Sequence, residues 1–166
     1  MSVVDQEKIR DAVNTIIEAL GEDPHREGLI GTPERVAKMY EDLFSGIRED
    51  PAKVLVTGFE ENHDGMVVLR EIQFFSICEH HLMPFFGTAA IGYVPDGRVV
   101  GLSKLVRALD ILAHRPQLQE RLTTAMTDVL FDTVKPKGVS VRLIAEHMCM
   151  SLRGIRKPGS RVITSS

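Results

Sequence analysis

The chain has 166 residues, of which 43% are hydrophobic and 5% aromatic, and 20 Lys and Arg against 23 Asp and Glu give a net charge of −3. This length and composition predict one globular domain, 1–166, with a sizeable core, and no run of about eighteen apolar residues suggests a membrane span. The few aromatic residues, with no basic run longer than two, argue against a nucleic-acid partner.

The first fifty residues are predicted to form a helical N-terminal region, 1–50. Apolar residues recur every three or four positions from Ile9 to Leu20, which predicts a helix that ends at Gly21. Thr32 and Pro33 then provide the start of a second helix, whose apolar face continues to Ile47. An irregular acidic stretch is expected to follow, up to about residue 65.

The region 66–166 is predicted to alternate between strands and helices. The run 66–78 is rich in Val, Ile and Phe and predicts a long strand, and we expect Pro84 and Gly87 to interrupt the pattern before a second strand, 88–94. A short strand at 98–101 leads to two helices, the first capped by Ser103 and the second carrying residues 118–130.

The last predicted elements are strands. Alternation over 139–149 predicts a strand that places His147 and Cys149 on one face, and a short strand follows around Val162. The order of elements predicts an α+β fold in which N-terminal helices precede an antiparallel sheet with two inserted helices.

The main chemical signal is a cluster of metal-capable side chains. Cys78 and His81 form a C-x-x-H pair, and Cys149, the second of the two cysteines, lies two residues after His147. A disulfide is the less favoured account, because we expect a cytoplasmic chain whose thiols stay reduced. A Cys₂His set would leave one position of a tetrahedral zinc ion free, with His80 and His147 beside the metal, while a closed site with four protein ligands is the alternative.

This combination of side chains predicts metal-assisted hydrolysis. Water bound to zinc has a pKa of about 7, and a nearby imidazole exchanges protons in the same pH range. For the remaining histidines, His25, His63 and His114, an ordinary surface or hydrogen-bonded role is expected.

Several separate motifs resemble the GTP cyclohydrolase I family over about residues 25–166. They are TPERVAKMY at 32–40, SICEHHLMPF at 76–85, GLSK at 101–104, RPQLQERL at 115–122, HMCM at 147–150 and RG at 153–154. The resemblance implies a zinc-dependent enzyme, with one Zn²⁺ per subunit, that opens the five-membered ring of the guanine of GTP. It would release formate and form 7,8-dihydroneopterin triphosphate, the first step of folate and pterin biosynthesis.

The same resemblance assigns roles to individual residues. Cys78, His81 and Cys149 would hold zinc, whose hydroxide would attack C8 of guanine. His147 and His80 would transfer protons, and Ser103 would lie near the ribose. Glu120 would recognise guanine by accepting hydrogen bonds from its N–H groups, and Gln119 beside it would also bind the substrate.

The family pattern also implies a triphosphate site and an assembly. Lys104, Arg107 and Arg153 would bind phosphates, and Arg35 and Lys38 would reach in from a neighbouring subunit. The excess of basic residues in 98–166, which holds 12 Lys and Arg against 5 Asp and Glu, fits this role. The fold would be the tunnelling type, in which sheets of several subunits join into a barrel, and the assembly a homodecamer of two stacked pentamers with active sites at subunit interfaces.

Two rival functions follow from other readings of the same residues. A nucleotide-binding or scaffold protein with a structural zinc ion would not need His80, His147, Ser103 and Glu120. A related tunnelling-fold enzyme for another purine or pterin would not need the complete set of phosphate-binding residues. We therefore expect the GTP-hydrolysing enzyme.

Overall fold

The computed structural model describes residues 4–166 and begins with a pair of helices. Helix α1 spans Gln6–Ala19 and helix α2 spans Thr32–Leu43. Asp5 caps α1 by accepting a hydrogen bond from the backbone N–H of Lys8 at 3.1 Å, and Pro33 occupies the first turn of α2. The two helices pack against each other, in agreement with the predicted helices that precede the sheet.

Helix α2 is shorter than its apolar pattern predicts. It ends at Leu43, and a 3₁₀ helix, Ser45–Arg48, follows. Gly46 explains the change, because its N–H donates to the carbonyl of His114 at 3.1 Å and a Cβ atom there would lie 2.0 Å from the carbonyl oxygen of Ile111. This close approach fixes the path of the chain and ends the regular helix.

The stretch predicted to be irregular contains two regular elements. Helix α3 spans Ala52–Leu55, and strand β1, Gly58–Glu60, pairs antiparallel with β4, Arg98–Val100. The strand at 98–100 is thus confirmed, but it pairs with a segment about forty residues earlier. Three residues give too short a pattern to reveal such a partner.

Five strands within residues 4–166 form the main sheet, in the order β5-β2-β3-β6-β7. Their bounds are Val67–Cys78 for β2, Met83–Val94 for β3, Pro116–Gln117 for β5, Gly138–His147 for β6 and Val162–Ser165 for β7. Neighbouring strands are antiparallel except for the two-residue strand β5, which pairs parallel with β2. The α+β class is therefore confirmed, and the sheet differs from the purely antiparallel prediction at this edge.

Strand β3 runs without interruption through Pro84 and Gly87, which were expected to break it. Pro84 precedes Phe85, the first residue of β3 that pairs with β6, so its missing N–H does not interrupt that ladder. At Gly87, a Cβ atom would lie 1.9 Å from the carbonyl oxygen of Ile144. Glycine therefore permits the close approach of β6.

Two helices cover one face of the sheet. Helix α4 spans Leu102–Ala113 and α5 spans Gln119–Val134. Gly101 is the N-cap of α4, so the prediction that Ser103 caps this helix is wrong, and Ser103 lies within the first turn. The core between helices and sheet includes Phe74, Phe85, Ile91, Tyr93, Leu105, Leu109, Leu122, Met126, Leu130 and Leu143.

The end of α4 is tied to strand β2, which ends at Cys78, and to strand β5. The hydroxyl of Ser76 donates to the carbonyl of Ala113 at 2.7 Å, and the amide of Gln117 donates to the carbonyl of Leu112 at 2.9 Å. Both contacts are buried and satisfy carbonyls that a helix end leaves unpaired. Among residues 4–166, no helix is both long and apolar enough to cross a membrane.

Candidate active site and metal centre

The turn between β2 and β3 carries the motif Cys78-Glu79-His80-His81. The backbone N–H of Leu82 donates to the carbonyl of Cys78 at 2.9 Å, and Leu82 adopts a left-handed conformation with φ of 50°. This tight turn places Cys78, at the end of β2, close to His81. The C-x-x-H spacing therefore brings the two predicted ligands close together within one turn.

Cys149 reaches this pair from a helical turn rather than from a strand. Strand β6 ends at His147, and helix α6, Met148–Ser151, carries the thiol. The prediction that strand alternation continues to Cys149 is therefore wrong. The carbonyl of Met148 accepts from the backbone N–H of Leu152 at 3.0 Å, a bond that closes a helical turn and that an extended strand lacks.

The structure brings the three predicted ligands together. One ligand atom from each of Cys78, His81 and Cys149 lies within 4.8 Å of the other two, so the group could hold a metal ion. Both cysteines are free thiols. Burial and the neighbouring Cys78 raise the pKa of the Cys149 thiol, and a bound cation acts in the opposite direction by favouring the thiolate.

The ring of His147 is held from two directions beside this group. It stacks on Phe85 with ring centroids 4.6 Å apart and planes inclined by 4°, and its Nε2 lies 2.8 Å from Oε1 of Gln119. The strand register explains the stacking partner, because Phe85 of β3 is paired with His147 of β6. Burial lowers the pKa of His147, opposed by the charge of Glu120.

Glu79, which the sequence left without a role, pairs with Arg121 of helix α5. The guanidinium donates to both carboxylate oxygens, at 2.5 and 3.1 Å, and this pairing lowers the pKa of Glu79. The backbone N–H of Glu79 also donates to the carbonyl of Gln117 at 3.0 Å. These contacts join the turn of the ligand pair to the start of the helix that carries Gln119 and Glu120.

A cleft of ≈ 430 Å³ opens beside these residues. Six predicted site residues line it: Cys78, His80, Gln119, Glu120, His147 and Cys149. Gln117 lines it too, and within residues 4–166 its Oε1 is the one buried side-chain oxygen or nitrogen without a hydrogen-bond partner. An unpaired buried acceptor beside a cleft is expected where a ligand or an ordered water completes the site.

The predicted phosphate-binding residues are dispersed in the single chain. Nη1 of Arg153 lies 3.1 Å from Nε2 of His81, next to the ligand group. Lys104 and Ser103 lie on α4, as does Arg107, which lines a separate pocket of ≈ 360 Å³. No residue of α2 or α4 lines the cleft in the described chain.

Arg35 and Lys38 lie on helix α2, well before the ligand group in the sequence. Arg35 donates to the hydroxyl of Thr32 at 2.9 Å, and Lys38 lies 3.5 Å from the carboxylate of Glu34. Both side chains are exposed, so these surface contacts are weak and can exchange for a ligand. Neither Arg35 nor Lys38 lines the cleft of the described chain.

Glu146 holds the loop that follows α6. Its Oε1 accepts from the hydroxyl of Ser151 at 2.6 Å and from the backbone N–H of Gly159 at 3.0 Å, and these bonds lower the pKa of Glu146. The loop between these two contacts carries Arg153. No sequence pattern indicates this role, because Glu146 lies on an alternating strand where a charged residue is expected to face solvent.

Comparisons with known proteins give a consistent result over the whole chain. The model of the family GTP cyclohydrolase I matches residues 9–166. A protein of Halalkalibacterium halodurans named GTP cyclohydrolase 1 is 56% identical over 100% of this chain and 89% of its own length. Proteins with the same name from Listeria innocua and Streptococcus mutans are 54% and 55% identical, over 100% and 96% of this chain and 88% and 84% of their own lengths.

These matches cover the turn with Cys78 and His81, helix α6 with Cys149 and the cleft between them. Each of the three relatives is more than half identical to this chain over at least 96% of its length. The chain therefore belongs to the GTP cyclohydrolase I family.

Proposed function

We propose that this protein is a GTP cyclohydrolase that uses zinc to hydrolyse GTP. It opens the five-membered ring of guanine, releases C8 as formate and forms 7,8-dihydroneopterin triphosphate. The observation that carries this proposal is the convergence of Cys78, His81 and Cys149 with His147 and Glu120 around one cleft. Relatives named GTP cyclohydrolase 1 that match the whole chain support the same activity.

The ligand group fits a zinc ion. Two thiolates and one imidazole are typical zinc ligands, and in a tetrahedral site with Zn–S bonds of about 2.3 Å two sulfur atoms lie about 3.8 Å apart. Ligand atoms that lie within 4.8 Å therefore need to close by no more than about 1 Å. When bound, zinc supplies a Lewis acid and lowers the pKa of water to about 7. Two free thiols also fit a reducing compartment, the cytoplasm.

Two imidazoles beside the ligand group supply acid–base chemistry. His147 is held by Phe85 and Gln119 at the edge of the cleft, so it can protonate the ring nitrogen of a bound guanine. His80 lines the same cleft and lies one residue before the ligand His81. It assists proton transfer during ring opening and rearrangement of the ribose.

Glu120 is proposed to recognise guanine. It lies in the first turn of α5 and lines the cleft, where its carboxylate can accept hydrogen bonds from the N–H groups of the base. A base without those donors leaves the carboxylate unpaired, and this difference provides specificity.

Replacing Glu120 with alanine is expected to weaken GTP binding by about 10- to 100-fold, since hydrogen bonds to a charged group contribute about 1.5–3 kcal/mol each. Titration of the zinc-loaded variant with GTP by calorimetry measures the change. Asp128→Asn, which removes an exposed charge from the same helix, is the matched control and should bind GTP normally. Unchanged GTP affinity in Glu120→Ala would remove this residue from the site.

The triphosphate is proposed to bind to basic residues of more than one subunit. Arg153 is near the ligand group, whereas Lys104, Arg107, Arg35 and Lys38, together with Ser103 near the ribose, lie on helices that do not line the cleft of the described chain. A neighbouring copy would supply those that one chain cannot. We therefore propose active sites at subunit interfaces in a homodecamer of two stacked pentamers, whose joined sheets form a barrel.

The test of the proposed function is direct. Zinc-loaded protein incubated with GTP should release one equivalent of formate and, after oxidation, yield a fluorescent pterin. Metal-free protein prepared with a chelator is the control and should release none. Absence of formate from folded, metal-replete oligomer would overturn the proposal.

A further inference from the structure

We infer that Gln119 is a positioning residue that holds His147 in the tautomer with its proton on Nε2. Nδ1 is then the nitrogen that exchanges a proton with the substrate. The inference deepens the proposed function and rests on it for the role of His147. It also differs from the sequence prediction, in which Gln119 contacts the substrate.

The side-chain amide of Gln119 has one possible orientation. Its Nε2 lies 3.0 Å from the carbonyl oxygen of Val162 and 3.3 Å from that of Leu143, and both oxygens can only accept. Rotating the amide by 180° would set its oxygen against two carbonyl oxygens. The amino end therefore faces strands β6 and β7, and Oε1 faces His147.

A chain of hydroxyl groups fixes the same orientation independently. Thr123 donates its hydroxyl hydrogen to the backbone carbonyl of Gln119 at 2.7 Å. The bond of 2.6 Å between the hydroxyls of Thr123 and Thr164 must then take its hydrogen from Thr164. Thr164 is left to accept from Nε2 of Gln119, at 3.1 Å. Every donor in this series of hydrogen bonds has an acceptor.

The orientation of Gln119 determines the proton position on His147. Oε1 of Gln119 can only accept, so the ring nitrogen 2.8 Å away, Nε2 of His147, must carry a hydrogen. Stacking on Phe85 holds the ring plane while the hydrogen bond fixes rotation within that plane. Among residues 4–166, no group forms a hydrogen bond with Nδ1, which leaves it free for the substrate.

The side-chain amide of Gln119 has no group left for guanine. The residue is 1% exposed, and both ends of the amide are bonded to protein atoms. Contact of the amide with the base would require it to release either His147 or the two carbonyls. Gln119 therefore acts through His147, while the adjacent Glu120 is exposed to the cleft.

The first test observes the tautomer without measuring activity. Zinc-loaded protein with ¹⁵N-labelled histidine rings is examined by solid-state NMR at about pH 8, where an ordinary imidazole is neutral. The chain has six histidines, and the variant His147→Gln identifies the signal of His147 by its loss. We expect a hydrogen on Nε2 and none on Nδ1. A hydrogen on Nδ1 with a bare Nε2 would overturn the inference, whether or not the protein converts GTP.

The second test separates positioning from substrate contact. Gln119→Met keeps the length of the side chain but removes its hydrogen bonds, so kcat is expected to fall about tenfold or more while KM for GTP changes by less than about twofold. Thr127→Val is the matched control, since Thr127 bonds to the carbonyl of Thr123 one turn further along α5 and does not touch His147. A raised KM with normal kcat would instead make Gln119 a substrate contact. If Gln119→Met does not fold, the NMR result on the wild-type protein decides. Failure of the proposed function is recognised separately, by absence of formate from the wild type.

Discussion

Replacing Cys149 with serine is expected to remove the bound zinc and the proposed activity together. Cys149 is one of three proposed ligands from this chain, and serine offers a hard, neutral hydroxyl where zinc favours a soft thiolate. Changes in residues that only orient metal ligands already lower metal affinity by about 10- to 100-fold, so the loss of a ligand should cost at least about 100-fold. Zinc content after dialysis, measured by elemental analysis, and formate release together report the effect.

Met148→Leu is the matched control for this prediction. It changes the neighbouring residue of helix α6, which is not a proposed ligand, to one of similar volume. It should retain zinc and activity. Full zinc occupancy in Cys149→Ser would contradict the ligand assignment, and a folded, zinc-containing but inactive variant would instead give Cys149 a role in chemistry.

The proposed ligands that are close together in the sequence could be predicted fully, and the ligand from a distant part of the chain only in part. Cys78 and His81 are so close along the chain that a single turn brings them together, whatever the rest of the fold does. The contribution of Cys149 also follows from the residue types, but its position does not. Alternation predicted a strand through 149. The chain instead turns into α6 after His147, so the thiol reaches the ligand group from a helical turn.

The contacts that give the site its geometry depend on strand pairing, which short sequence patterns do not specify. Phe85 stacks on His147 because β3 and β6 pair in one register, and a shift by one residue would turn each side chain to the opposite face. The amide of Gln119 finds its acceptors on β6 and β7, twenty-four and more residues later. Periodicity predicted the helix that carries Gln119 but could not predict these partners.

The same limit explains the errors in the fold. Pro84 and Gly87 are strand breakers by local propensity, yet Pro84 lies beyond the ladder with β6 and Gly87 is required by the close approach of Ile144. The long apolar periodicities of α1, α4 and α5 predicted their helices because burial of one face determines the pattern. Short strands such as β1 carry too few residues for such a pattern.

Replacing His147 with alanine is expected to leave zinc bound while turnover falls by about 100-fold or more, the usual effect of losing an acid–base group. His147 lies beside the ligand group but its Nε2 is engaged by Gln119, so it is not available as a fourth ligand through that atom. The variant also leaves Oε1 of Gln119 unpaired in a buried position, which should cost about 1–3 kcal/mol of stability.

A matched pair of variants separates the chemical effect from this structural effect. His147→Gln can still donate a hydrogen bond to Gln119 but carries no group that titrates near neutral pH, so it should recover stability while remaining about as slow as His147→Ala. His63→Ala removes an exposed histidine outside the cleft and should match the wild type in both respects. Thermal unfolding, zinc content and single-turnover formate release measure the three properties. Normal turnover in His147→Gln would show that His147 is not an acid–base group, because glutamine can keep the hydrogen bond to Gln119 but cannot exchange a proton near neutral pH.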